Sequence, residues 1–173
     1  MTGIIHEGEN PFQDPEEGRD PVRRFRGRLA APVAVVTAGL EGERAGLTVS
    51  SLVVSEGEPA RLAFLVSPTA AVYDLLGRSG RFVVHVLDAS QRSLAELFAA
   101  RRPAPGGPFA SVASTDSPWG PVLDEVADRA YCSYVTGEEE GYSILVAADV
   151  DRVELADLTA PLVYFRGRYH TLR

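Results

Sequence analysis

The chain has 173 residues and a mass of 18.6 kDa, enough for one domain whose core needs no metal or disulfide staple. Its 24 acidic and 17 basic residues give a net charge of −7, which excludes a general nucleic-acid or anionic-membrane binder but leaves room for a local anion site. The single cysteine, Cys132, excludes an internal disulfide and any cysteine metal cluster and fits a reduced, cytoplasmic setting; histidines only at 6, 85 and 170 argue against a His-rich metal site.

Residues 1–21, with Gly3, Gly8, Pro11, Pro15, Gly18 and Pro21 among acids, read as a flexible or draped arm, leaving residues 22–173 as the folded domain. The first residues lack the apolar stretch of a signal peptide, and the longest apolar run, 29–38, is far below the roughly 18 residues of a membrane span. The basic stretch Val22–Leu29 reads as a solvated helical turn or a cap to the first strand. Ala31–Thr37 is apolar at every second position on both faces, which predicts a central strand. After the turn 39–44, Leu47–Val54 reads as the next strand, and Arg61–Ser67 as a third. Pro68 ends it, and Thr69 is placed to cap a short helix running to Leu76.

Ser79-Gly80 turns the chain into a strand over Arg81–Leu87, and Ser90–Ala100 reads as a helix with Leu94, Leu97 and Phe98 on one face. Residues 101–121 carry five prolines and read as a long loop. Arg129–Thr136 is a strand, 137–141 an acidic turn, and Tyr142–Leu155 a long or bent strand. The tail from Leu162 makes two short strands about Gly167. Some seven strands in hairpin order with two short helices point to a mostly β chain folded as a closed antiparallel barrel. Strands apolar on both faces call for an outer wall covered by helices or by a second subunit.

No Gly-x-Ser-x-Gly elbow, Walker loop or His-Glu-x-x-His set is present, so hydrolase and metalloenzyme chemistry are weakly supported and no metal site is expected. Hydroxyls instead cluster at Gly46-Leu-Thr-Val-Ser-Ser51 and Ser67-Pro-Thr69. Main-chain N–H groups, Ser and Thr hydroxyls and a helix start can hold a phosphate without lysine or arginine. Serine and threonine at strand ends are also ordinary structure. In a regular strand Thr48 and Ser50 share a face and Ser51 points away, so all three serve one ligand only if the chain bends there.

The ordered set Val35-Val-Thr37, Gly46-Leu-Thr-Val-Ser-Ser51, Ser67-Pro-Thr69, Ser79-Gly-Arg-Phe-Val-Val-His-Val-Leu87, Gln91 with Leu94 and Phe98, and Tyr164-Phe-Arg-Gly-Arg-Tyr-His170 resembles the flavin reductase-like family over roughly residues 24–172. The resemblance implies an antiparallel split β-barrel that binds FMN, or FAD, usually as a homodimer with the flavin near the interface. It implies NAD(P)H-dependent reduction of flavin, often supplied to a partner monooxygenase. Carried onto this chain, it places Thr48, Val49, Ser50 and Ser51 along the flavin and its phosphate, and Ser67 and Thr69 near the phosphate and ribityl chain. His85, where the family commonly has asparagine, is either a flavin-facing donor or a buried core histidine. His170 either falls on the nicotinamide side or is a surface histidine near the chain end, and Arg166 and Arg168 either meet dinucleotide phosphates or serve solubility.

Trp119 either lids the flavin or packs on the barrel, and Cys132 reads as a small buried hydrophobe. Many members carry Gly-Asp-His where this chain has Glu139-Glu140-Gly141-Tyr142. That departure puts NAD(P)H use in doubt and keeps open a flavin carrier, sensor or electron-transfer module. An oxidase resembling pyridoxamine-phosphate oxidases would need a more basic phosphate pocket.

Overall fold

The computed structural model describes residues 20–172; the arm expected over 1–21 lies almost wholly outside them. Three α-helices are seen: α1 (Pro21–Arg26), α2 (Ala71–Ser79) and α3 (Arg92–Phe98). The strands are β1 (Ala31–Pro32), β2 (Ala34–Leu40), β3 (Glu43–Val49), β4 (Val53–Ser55), β5 (Arg61–Val66), β6 (Arg81–Val86), β7 (Ser114–Ser117), β8 (Gly120–Leu123), β9 (Arg129–Glu140), β10 (Ser143–Glu154), β11 (Leu162–Phe165) and β12 (Arg168–Thr171).

Seven strands form one antiparallel sheet in the order β3-β2-β6-β9-β10-β5-β4. Its two outermost strands, β3 and β4, are separated in the chain by only Ser50, Ser51 and Leu52. Laid flat, six interstrand steps would put them about 29 Å apart. The link from Val49 to Val53 reaches at most about 14 Å. The sheet must therefore curl until its edges meet, and no ladder joins them. The result is an antiparallel barrel, split between β3 and β4 rather than closed by a ladder. The single strand expected over Leu47–Val54 is interrupted at that split.

Both faces of β2 are buried, as its sequence requires. Ala34, Val36 and Ala38 enter the barrel interior with Phe64, Phe82, Leu76, Cys132 and Val146, while Val33 and Val35 face an outer layer with Leu87, Leu94, Phe98 and Leu123. Phe64 and Phe82 meet edge to face at 5.8 Å; burial of each ring contributes about 2–3 kcal/mol. The chain covers the outside of β2 and β6 with α3, the β7–β8 hairpin and the small sheet β1-β11-β12. The segment expected as an unbroken loop over 101–121 in fact holds most of that hairpin. Trp119 sits in its turn, packed edge to face on Tyr131 at 5.4 Å, which is the packing role rather than a lid.

Among the described residues, the outer wall of β4, β5 and β10 has no such cover. Register rows Val53–Ala63–Ala147–Thr136 and Leu65–Leu145–Glu138 run across it, and Val53, Leu65 and Leu145 are exposed. Two other expectations shift. Helix α2 starts at Ala71 with Ala70, not Thr69, at the cap, and Glu138–Glu140 complete strand β9 instead of forming a turn. Gly80 ends α2 in the left-handed conformation (φ 68°) that favours glycine.

Candidate functional site

The split is where the hydroxyl residues gather. Ser51 turns away from Thr48, as strand alternation requires, and its Oγ accepts the N–H of Leu65 at 2.8 Å and donates to the Leu65 carbonyl at 3.3 Å. One side chain thus ties the end of β3 to β5, two residues before Ser67. The two hydroxyl groups of the sequence, 48–51 and 67–69, are thereby brought to one end of the barrel.

Their donors are not equally available. Thr48 points outward, beneath α3, and donates to the carbonyl of Ala95 at 2.8 Å, so toward a ligand it offers lone pairs only. Gly46, on the same face, lets the Phe98 ring close in: a Cβ there would lie 2.6 Å from Phe98 Cε1. The Val49 side chain belongs to the barrel interior, leaving its main chain for any ligand. Ser50, in the bend after β3, is half-buried. Ser67 Oγ and Thr69 Oγ1 are exposed and 3.0 Å apart, and Thr69 N–H donates to Ser67 Oγ at 3.3 Å. Immediately after them α2 begins with no side-chain cap, so its first N–H groups point to an anion position beside two hydroxyls. This donor set fits a phosphate monoester without a cation from the same segment.

His85 does not belong to this site. It is fully buried; its Nε2 accepts the N–H of Leu123 at 3.0 Å, so Nδ1 carries the proton and donates to the Val35 carbonyl at 3.1 Å. Both ring nitrogens are consumed, which corrects the flavin-facing assignment in favour of a core histidine. Burial holds its pKa down to about 4, against the smaller opposing effect of the Val35 bond. Cys132 is buried as expected, its thiol pushed up to about 12 by loss of solvent and then by Asp151.

His170 lies on β12 in the separate small sheet, exposed and edge-on to Phe165 at 6.0 Å. Among the described residues, its ring contact is to Phe165 and its strand partner is Val163, neither of them in the hydroxyl set. Across the same hairpin, Tyr164 and Tyr169 pack beneath Arg101, which donates to Tyr164 Oη at 2.7 Å. Neither the Ser51–Leu65 tie nor the Thr48 bond to α3 leaves a mark in the sequence, because both partners are main-chain atoms distant along the chain. Among the described residues no cluster of three or more metal-ligating side chains occurs, and no helix is long and apolar enough to cross a membrane.

An antiparallel barrel left open along one seam, with hydroxyls and an uncapped helix start at the seam, defines a split-barrel protein. Residues 26–173 match the model of the flavin reductase like domain, and the chain belongs to that family. It is 31% identical over 170 residues, 96% of this chain and 91% of the other, to the NADH-dependent FMN reductase AsuE2 of Streptomyces nodosus subsp. asukaensis. It is 30% identical to the reductase component of 4-hydroxyphenylacetate 3-monooxygenase from Thermus thermophilus, covering 84% of this chain and 91% of that one. Among solved structures, the NADH:FAD oxidoreductase SgcE6 of Streptomyces globisporus C-1027 superposes with a TM-score of 0.80 at 23% identity, over 92% of this chain and 99% of that chain.

Proposed function

We propose that this protein is an NAD(P)H-dependent FMN reductase that supplies reduced flavin to a partner monooxygenase. The family and the two named reductases similar over most of the chain support this reading. The observation that carries the site is the junction made by Ser51 and Leu65, which sets Thr48–Ser51 beside Ser67 and Thr69.

In this reading Ser67, Thr69 and the first N–H groups of α2 hold the phosphate. Thr48, acting only as an acceptor, meets a ligand N–H or hydroxyl, and the main chain of Val49 to Ser51 follows the ring edge. Bound flavin supplies the hydride-accepting chemistry, while the protein supplies position and hydrogen bonds. His170 is assigned to the nicotinamide side on the family resemblance. The bare wall of Val53, Leu65 and Leu145 adjoins this site and is exposed apolar surface that a second subunit would bury, which supports a homodimer with flavin near the interface. Arrangement around one free, buried cysteine fits the cytoplasm, where reduced nicotinamide is made.

The test is a spectrum and a turnover assay on the purified protein. FMN binding, with NADH or NADPH oxidation dependent on added flavin, supports the reading; no uptake of FMN or FAD rejects it. The second reading, a flavin carrier, sensor or electron-transfer module, is favoured by Glu138–Glu140 at the phosphate end. Tight FMN binding without turnover by either nucleotide would select it.

A further inference from the structure

Two charged surfaces of this chain match each other. The first is helix α1 with the hairpin tied to it. All seventeen basic residues are arginine. Most of those on the barrel and α3 are paired: Arg44 with Asp116, Arg61 with Asp149, Arg78 with Glu43 and Asp74, Arg92 with Glu96, Arg129 and Arg152 with Glu154, while Arg81 lies over the Trp119 ring and Arg101 over Tyr164. On and just after α1, Arg24, Arg26 and Arg28 have no carboxylate partner among the described residues, nor do Arg166 and Arg168. The hairpin tip joins α1 through Arg166 N–H donating to the Gly27 carbonyl at 3.0 Å. Val22 and Phe25 on α1, and Leu29 in the bend just after it, are apolar and exposed to solvent.

The second surface is the tip of the β9–β10 hairpin. Glu138, Glu139 and Glu140 are exposed with no cation partner among the described residues, and Tyr142 beyond them is fully exposed. Glu138 continues the bare row Leu65–Leu145. The rungs also fix what stands nearby: Val66 pairs with Ile144 and Ile144 with Glu139, so the next rung, Ser143 with Glu140, is level with Ser67. Three carboxylates beside the phosphate position oppose an anion there.

We propose that in the homodimer α1 of each copy lies on the β9–β10 tip of the other, with Arg24, Arg26 and Arg28 against Glu138–Glu140 and the apolar Val22, Phe25 and Leu29 against Tyr142 and the edge of the bare wall. A two-fold axis uses both surfaces twice and leaves neither exposed. The arrangement rests on the homodimer proposed above and adds to it. The partner's arginines cancel the carboxylate charge at the phosphate end, so the flavin site of one copy is completed by the other. Charge complementarity within a single sequence favours a second copy as occupant over an oxygenase or a free nucleotide.

Sedimentation equilibrium of the full chain tests this. The wild-type dimer is expected to weaken from low to high salt. The reversals R24E/R26E/R28E and E138R/E139R/E140R should each weaken it about tenfold or more, and their combination should restore most of the loss. Circular dichroism establishes that each variant is folded; if a single reversal fails to fold, the salt series and the combined variant decide. Reversed arginines should also weaken FMN uptake more than riboflavin uptake, since only FMN carries the phosphate. A salt-insensitive dimer, a monomer, or reversals that the combination does not rescue would overturn the arrangement, as would an arginine variant that dimerises normally and loses only delivery of flavin to an oxygenase. A wild-type dimer with the expected charge pattern but no flavin uptake would sink the reductase reading alone.

Discussion

Ser51 and Leu65 meet beside the seam of the barrel, the serine hydroxyl taking the place of both partners that a neighbouring strand would offer to Leu65. Replacing Ser51 with alanine removes two hydrogen bonds and leaves the Leu65 amide to solvent. The expected cost is about 1–2 kcal/mol in urea unfolding. Amide exchange at Leu65 should accelerate while that of Phe64, inside the β5–β10 ladder, should not; equal protection in both proteins would show that the serine bond does not hold the Leu65 amide.

Gly46 allows Phe98 of α3 to rest on β3. In Gly46→Ala the new methyl would sit 2.6 Å from the ring, so ring or helix must shift, at about 1–3 kcal/mol. Because Thr48 is bonded to Ala95 on the same helix, the shift should also weaken FMN binding. Trimming the ring with Phe98→Leu in the Gly46→Ala background should recover part of the loss, and a double-mutant cycle with no coupling would contradict the contact.

His85 makes stability depend on pH. Its native pKa of about 4 lies below the ordinary 6.5, so below pH 6.5 the unfolded chain binds a proton that the native chain refuses. The stabilisation is whole above pH 6.5 and is lost as the pH falls toward 4, by roughly 3 kcal/mol in all. Denaturation midpoints measured across that interval should fall for the wild type. His85→Gln should be less stable at neutral pH, since it disturbs the bonds to Val35 and Leu123, yet lack that part of the acid-side decline.

Trp119 is latched by Asp151, whose Oδ2 accepts from the indole Nε1 at 2.7 Å and from Ser133 Oγ at 2.7 Å. The guanidinium groups of Arg81 and Arg152 lie over the indole at 5.4 and 5.8 Å. Asp151→Ala should free the β7–β8 turn, at about 1–2 kcal/mol. As the only tryptophan in the chain, Trp119 reports this directly: its emission should move to the red in the native variant. An unchanged spectrum would show that stacking alone holds the turn.

The barrel was legible because burial on both faces of a strand leaves a plain record: Val33 to Ala38 could only be central. What failed to show were features made by main-chain partners. Nothing in Leu47–Val54 marks the seam, since its apolar residues continue past Ser51, and only tertiary closure stops the strand. Glu138–Glu140 read as a turn because charge usually marks one, but here they extend a two-stranded arm beyond the core. At His85 the sequence left two roles open, and the choice fell to Leu123, 38 residues away. The serines and threonines were found by pattern and resemblance; which of them still has a proton to give was decided by the neighbours Ala95 and Leu65.

Strand β10 carries one residue more than β9 requires at Asp151. Val150 faces Cys132 and Arg152 faces Tyr131, two adjacent positions on β9, so Asp151 stands outside the ladder as a bulge. Both flanking rungs would read the same without it. A lineage could therefore gain or discard this codon, and with it the anchor for the indole, while every other side chain of the barrel kept its inward or outward place.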